Sequence, residues 1–227
     1  MKFVVRFALV IVLFGTGIFS AQAGFSSLYV FGDTLSSTTD NPAPASDYYP
    51  GHDSNGRVWV EVLAQRQGLT ISTNLSYYDH NSSLLVTDIK NLTITQANAS
   101  NALFIVWVCN ADTFDAASAS DTPSQWTAAI KRSQTNHLQI ITNLYAKGVR
   151  TLILPNAVDI SKIPAYNHAT SAGTMSSGCV AYNVAFSNTI NQARIVCPSL
   201  NIYAPDFLIS FYNANIPASK TFVKKIL

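Results

Sequence analysis

Side chains able to do chemistry gather at a few places along the chain. Hydroxyls, carboxylates and amides cluster in Gly32-Asp33-Thr34-Leu35-Ser36-Ser37, in Asn74 to Ser83 and in Cys109-Asn110-Ala111-Asp112. A hydroxyl becomes a nucleophile when a base stands beside it and a further group orients that base. Of the four histidines, His80 and His168 are the candidate bases, each with Asp33, Asp112 or Asp159 as a conceivable orienting carboxylate. His52 sits in the turn Pro50-Gly51-His52-Asp53, and His137 lies inside a long helical pattern, where it is expected on the surface. Asp33-Thr34 beside a phosphate is the other chemistry to weigh. No glycine-rich phosphate loop or G-x-G-x-x-G follows any strand pattern, which argues against it. Cysteine spacing and histidine placement give no metal-ligand pattern, so neither metal nor cofactor is expected.

Those stretches need a scaffold, and the hydrophobic pattern supplies one. Short apolar runs at Leu28–Phe31, Leu69–Thr73, Ala102–Val108, Thr151–Leu154 and Leu200–Ala204 read as strands, the third apolar on both faces. Helical spacing appears at Arg57–Gln67, closed by Gly68, then weakly at Asp88–Ala99, and again at Ser124–Ala146 and Cys179–Val196. Apolar strands alternating with helices predict a parallel sheet covered on both faces, a doubly wound α/β/α sandwich. Ligands in such folds collect at the carboxyl ends of the strands. The segments there are Gly32–Ser37, Asn74–Ser83, Cys109–Phe114 and the long polar loop Asn156–Gly178.

Composition narrows the partners. Of 227 residues, 48% are hydrophobic and 11% charged, enough for one domain with a substantial core. Residues 1–23 have the layout of a secretory leader: Lys2 and Arg6, an apolar run from Phe7 to Phe19, then Ala21-Gln22-Ala23. The expected organisation is therefore a signal peptide over 1–23 and a single domain over 24–227, secreted or periplasmic, without a membrane span once the leader is cleaved. The formal charge is +2, and Lys2 and Arg6 supply it, so nucleic-acid binding by phosphate neutralisation is not expected. In an oxidising compartment Cys179 and Cys197 could pair, leaving Cys109 buried at a strand end. Tyr48, Tyr49, Trp59, Tyr77, Tyr78 and Trp126 could line a sugar or acyl pocket or simply fill the core.

Phe31-Gly32-Asp33-Thr34-Leu35-Ser36 resembles the F-G-D-S-L-S block that opens the GDSL, or SGNH, esterases and lipases. Ser54-Asn55-Gly56-Arg57-Val58-Trp59 is similar to the S-N-G-R-x-W segment of the larger secreted members, and Trp107-Val108-Cys109-Asn110-Ala111-Asp112 to their W-x-G-x-N-D block. The resemblance implies a three-layer flavodoxin-like sandwich with a five-stranded parallel sheet. It also implies carboxylic-ester hydrolysis through an acyl-enzyme, with a small acyl-ester or glycan ligand as partner. In such a family a Ser attacks, a His from a D-x-x-H block takes its proton, and main-chain and Asn donors hold the oxyanion.

Carried over by position, the nucleophile's place falls on Thr34, whose β-branched methyl stiffens χ1. Gly32, Asp33 and Asp112 occupy supporting places. The oxyanion Gly falls on Asp79, in Asn74-Leu75-Ser76-Tyr77-Tyr78-Asp79-His80, where a carboxylate would repel a developing negative charge. The block's Asn is displaced by one, leaving Asn110 as candidate oxyanion donor or as an ordinary loop-start Asn. No D-x-x-H follows Leu200 to Pro217, and the ending Ser219 to Leu227 reads as a truncated or frameshifted continuation with the final helix missing. His80 and His168 are the possible substitute bases. The expectation is a weakly active or inactive relative, with a non-catalytic ligand- or carbohydrate-binding protein or a gene fragment as the alternative.

Overall fold

A computed structural model describes residues 24–38, 52, 54, 56–119 and 122–208. The leader, the aromatics Tyr48 and Tyr49, and the Lys-rich ending with its expected loss of a final helix lie outside the described residues. Five strands form one parallel sheet: β1 (Ser27–Gly32), β2 (Thr70–Ser76), β3 (Ala102–Trp107), β4 (Thr151–Ile153) and β5 (Asn201–Tyr203). Their spatial order is β2-β1-β3-β4-β5, the doubly wound flavodoxin-like order. Each of the five apolar runs is a strand, within a few residues at either end.

Helix α1 (Trp59–Gln67) covers one face of the sheet, while α2 (Ser82–Asn91), α5 (Pro123–Ala146) and α6 (Ala172–Val196) pack together as a layer. Two short helices, α3 (Gln96–Ser100) and α4 (Cys109–Ser118), flank β3. Local chemistry sets the ends. Glu61 accepts the Val58 N–H at 2.8 Å at the start of α1, and Gly68 closes it in the left-handed region at φ 64°. Thr122 and Gln125 form a reciprocal capping box with Pro123 in the first turn of α5. The central strand β3 is buried along its whole length, so its run of apolar residues faces core on both sides.

Four expectations are corrected. The weak helix expected over Asp88–Ala99 is two helices. Capped by Asn81, α2 begins six residues before the expected start, and Thr95 caps α3 afresh after a break at 92–95. Cys109–Phe114 is not a loop but the opening of α4. The polar loop expected through Gly178 ends at Ser171, because the small residues from Ala172 onward pack as the first turns of α6 against α5. Cys179 and Cys197 do not pair. They sit about two turns into one helix and just past its end, roughly 27 Å apart at ~1.5 Å per residue, and all three cysteines are buried free thiols.

That placement has a measurable consequence. Burial pushes the Cys179 thiol up to about 12 and also raises Cys109 and Cys197. The folded chain should show almost no reaction with Ellman's reagent at neutral pH and release three equivalents on unfolding, without reductant. Fewer than three after unfolding would reveal a disulfide.

Candidate functional site

Because β1, β2 and β3 are adjacent and parallel, with Gly32 opposite both Ser76 and Trp107, the turns that follow them leave the sheet side by side. After β1 the chain makes one 3-10 turn, Thr34–Ser36, started by Asp33, whose Oδ1 accepts the Leu35 N–H at 3.0 Å. Gly32 permits this tight return: a Cβ there would lie 2.7 Å from Ser36 Cβ and 2.9 Å from both Ser36 Oγ and Ser76 Oγ. Beneath the turn, Trp59 Nε1 donates to Ser36 Oγ at 3.1 Å, and Trp59 meets Trp107 edge-on at 5.6 Å between ring centres. Thr34 itself is half-exposed, and its hydroxyl has no hydrogen-bond partner among the described residues.

Asn110 approaches from the first turn of α4. Its Oδ1 accepts the Val158 N–H at 3.0 Å, which fixes the amide and leaves Nδ2 buried and unpartnered. Asp33 Oδ2 is equally buried and makes no well-aligned hydrogen bond among the described residues, although the Asn110 amide lies close enough to favour the charged carboxyl. Burial pushes the Asp33 carboxyl up to about 7; the Leu35 N–H, the Asn110 amide and the Ala111 N–H act against that shift, and the charge of Asp112 adds to it. This carboxyl therefore changes charge near neutrality. Asp79 has φ 58°, in the left-handed region that favours glycine, and its side chain is exposed to solvent. The backbone thus keeps a glycine-like bend where the resemblance puts a glycine, with the carboxylate outside the protein.

None of the relays considered from the sequence forms. His80 is fully buried, with Nδ1 2.9 Å from the Gly32 carbonyl oxygen and Nε2 3.0 Å from Asp88 Oδ2, so its partner is none of Asp33, Asp112 and Asp159. His168 is exposed, and Asp159 accepts from Ser161 N–H at 3.0 Å and Ser176 Oγ at 2.8 Å. His52 is buried with Nε2 2.8 Å from Glu61 Oε2. His137, expected on the surface, is buried: it falls on the inward stripe of α5 with Ser133, Ile140, Ile141 and Leu144, and meets Phe186 edge-on at 5.0 Å.

Asp112 turns away from Thr34 into the helix layer. Oδ1 accepts from Ser82 N–H at 3.0 Å and Ser82 Oγ at 2.9 Å, and Oδ2 from Ser133 Oγ at 2.6 Å and Tyr182 OH at 3.1 Å. Ser133, Tyr182 and Asp88 are partners that the sequence pattern did not bring forward. The helical spacing of Ser133 and His137 was a signal for the first; nothing local marks the other two. A surface cavity of about 430 Å³ opens between the first turns of α5 and α6, lined by Trp126, Ile130 and Gly178 among others. None of Thr34, Asp79 or Asn110 reaches it.

No family model matches the chain, and no curated protein matches it in sequence. Solved structures do match in shape. The lipase Lip_vut3 from a goat rumen metagenome aligns at 12% identity over 83% of this chain and 84% of its own, TM-score 0.54. LAE5, an α/β hydrolase enzyme from the metagenome of Lake Arreo, Spain, aligns at 11% identity over 86% and 84%, TM-score 0.52. A mutant of Axe2, an acetyl-xylooligosaccharide esterase from Geobacillus stearothermophilus, aligns at 13% over 87% and 84%, TM-score 0.52. At such low identity the likeness concerns the chain's architecture alone: a three-layer α/β/α sandwich on a five-stranded parallel sheet, the fold of these esterase and lipase structures.

Proposed function

We propose that the chain is an exported protein of ester-hydrolase descent that keeps a ligand edge at Thr34, Asp33 and Asn110 but catalyses acyl transfer weakly or not at all. One observation carries this reading: the residue-34 hydroxyl bonds no imidazole, and the buried histidines hold other partners. Without a base the hydroxyl stays protonated and poorly nucleophilic, and the threonine methyl crowds the approach of a carbonyl. What remains is recognition. The half-exposed residue-34 hydroxyl, with no partner among the described residues, is the group a carbonyl or hydroxyl oxygen would meet, and the buried Asp33 carboxyl and Asn110 amide back its turn. A small acyl ester or glycan fits that chemistry. Export is supported by the leader layout of residues 1–23.

Hydrolysis of p-nitrophenyl acetate and butyrate tests it, comparing the chain with Thr34→Ser and Thr34→Ala. Wild type and Thr34→Ala should release nitrophenolate at the same rate, near the blank. Thr34→Ser should gain at most a small factor, since it restores shape without a base. A wild-type rate well above blank that disappears in Thr34→Ala would make Thr34 a working nucleophile and end the proposal.

A further inference from the structure

We propose that His80 is a positioning residue that ties the turn after β2 to the Gly32 carbonyl and thereby fixes where the residue-34 turn stands. The inference rests on placing the ligand edge at residue 34, not on any hydrolytic activity there. A carbonyl oxygen only accepts, so the 2.9 Å contact requires the proton on Nδ1. Nε2 stands 3.0 Å from Asp88 Oδ2 yet makes no well-aligned hydrogen bond. The ring is stacked on Tyr77, 4.0 Å between centres and 13° from parallel, and Tyr77 OH reaches back to Asp88 Oδ2 at 3.4 Å. Gly32 is confined on its other sides, since Ser36 and Ser76 leave no room at its Cα and Asp33 N–H donates to the Trp107 carbonyl at 3.1 Å. Through this contact one buried ring joins the turns at Thr34 and at Asp79.

Among the described residues, the titratable groups facing His80 are Asp88 on α2 and Tyr77 just after β2. Burial lowers the imidazole's pKa, against the pull of the Gly32 carbonyl, Asp88 and the Leu75 carbonyl, and favours a neutral ring at physiological pH. The Gly32 bond survives in the cation and in the neutral Nδ1–H tautomer, since both carry hydrogen on Nδ1. The Asp88 contact is different. With Nε2 unprotonated it sets a lone pair against a carboxylate, so Asp88 contributes a close ion pair only when the ring takes a second proton in acid. The tether is therefore His80 to Gly32, and Asp88 only strengthens it in acid.

Nitrogen-15 spectra of the labelled chain test this without any substrate. At pH about 8 the His80 ring should be the neutral Nδ1–H tautomer, the reverse of the form that free imidazole side chains prefer. His80→Gln, whose amide follows Nε2, should shift the backbone amides of Asp33, Thr34 and Leu35. His80→Asn, whose amide follows Nδ1, should return them toward wild type although it fills less space. Asp88→Asn should leave those amides in place at neutral pH. An Nε2–H tautomer, unmoved amides in His80→Gln, or equal shifts in Asn and Gln variants would overturn the assignment. If His80→Gln does not fold, the wild-type tautomer decides alone. Ester-hydrolysis results do not bear on either outcome, so the two readings fail separately.

Discussion

Replacing Asp33 with asparagine should stabilise the chain by roughly 2–4 kcal/mol at pH about 8 and by almost nothing below pH about 4. The carboxyl's pKa is 3.8 in an unfolded chain and about 7 in the fold, with burial as the main cause. Between those values the native state holds a proton that the unfolded state has released, so native stability falls as pH rises through the window. Above it the folded chain carries a buried charge at full penalty. Below it both states are neutral and no penalty exists. A rise of that size corresponds to about 4 kcal/mol; the new amide would face the Ala111 N–H and the Asn110 amide, which takes back part of the gain. Asparagine still offers an oxygen to the Leu35 N–H, so the cap on the 3-10 turn is kept. In a domain of this size the gain corresponds to a rise in Tm of roughly 5–15 °C. Urea unfolding of both proteins from acid to pH about 8 would show it; a difference independent of pH would disprove the charge argument.

The histidines act with the opposite sign. His80 and His137 have pKa values lowered from 6.5 by burial. As pH drops through 6.5 the unfolded chain binds protons that the folded chain refuses, so their contribution is present above that pH and lost below it. Wild-type stability is thus eroded from the alkaline side by Asp33 and from the acid side by the two imidazoles. Asp33→Asn removes only the alkaline limb and moves the optimum upward. The stability that Asp33 costs above neutrality is thus set against the cap it supplies to the Leu35 N–H.

Why the sheet was legible and its side-chain partnerships were not follows from what each depends on. Ala102 to Val108 is apolar on both faces because β3 is flanked by strands and sandwiched by helices, a condition written in consecutive residues. Gly32 and Asp33 end the first strand by local chemistry as well. The opening of α4 was hidden because Cys109 to Asp112 has no capping side chain before it, only Val108. Ala172 to Gly178 hid for another reason: small residues that pack closely on α5 have the composition of a loop. His137 is legible in its spacing, four residues from Ser133 and three from Ile140 on one inward stripe, although its residue type suggests the surface. Asp88 beneath His80 and Tyr182 beside Asp112 become neighbours only when separate elements dock, and no local pattern announces that.

Substituting Asp112 with alanine should destabilise the chain by about 3–5 kcal/mol, because one carboxylate serves donors from three helices. It receives the N–H and hydroxyl of Ser82 at the start of α2, the Ser133 hydroxyl on α5 and the Tyr182 hydroxyl on α6. Removing it strands these donors, and Ser82, Ser133 and Tyr182 are all buried too deeply for water to take over fully. Ser133 and Tyr182 can still bond each other at 2.7 Å, and His137 Nδ1 can keep the Ser133 carbonyl at 3.0 Å, so the loss concentrates where α4 and α2 join the layer. Asp112→Asn should recover about half, since its oxygen can serve Ser82 while its amide donates to the Ser133 hydroxyl. Hydrogen exchange gives the sharper check: in Asp112→Ala the first turns of α2 and α4 should lose protection while the middle of β3 keeps it. Uniform loss across the sheet, or an alanine variant as stable as wild type, would mean that these helices are held by apolar packing and that the carboxylate is incidental.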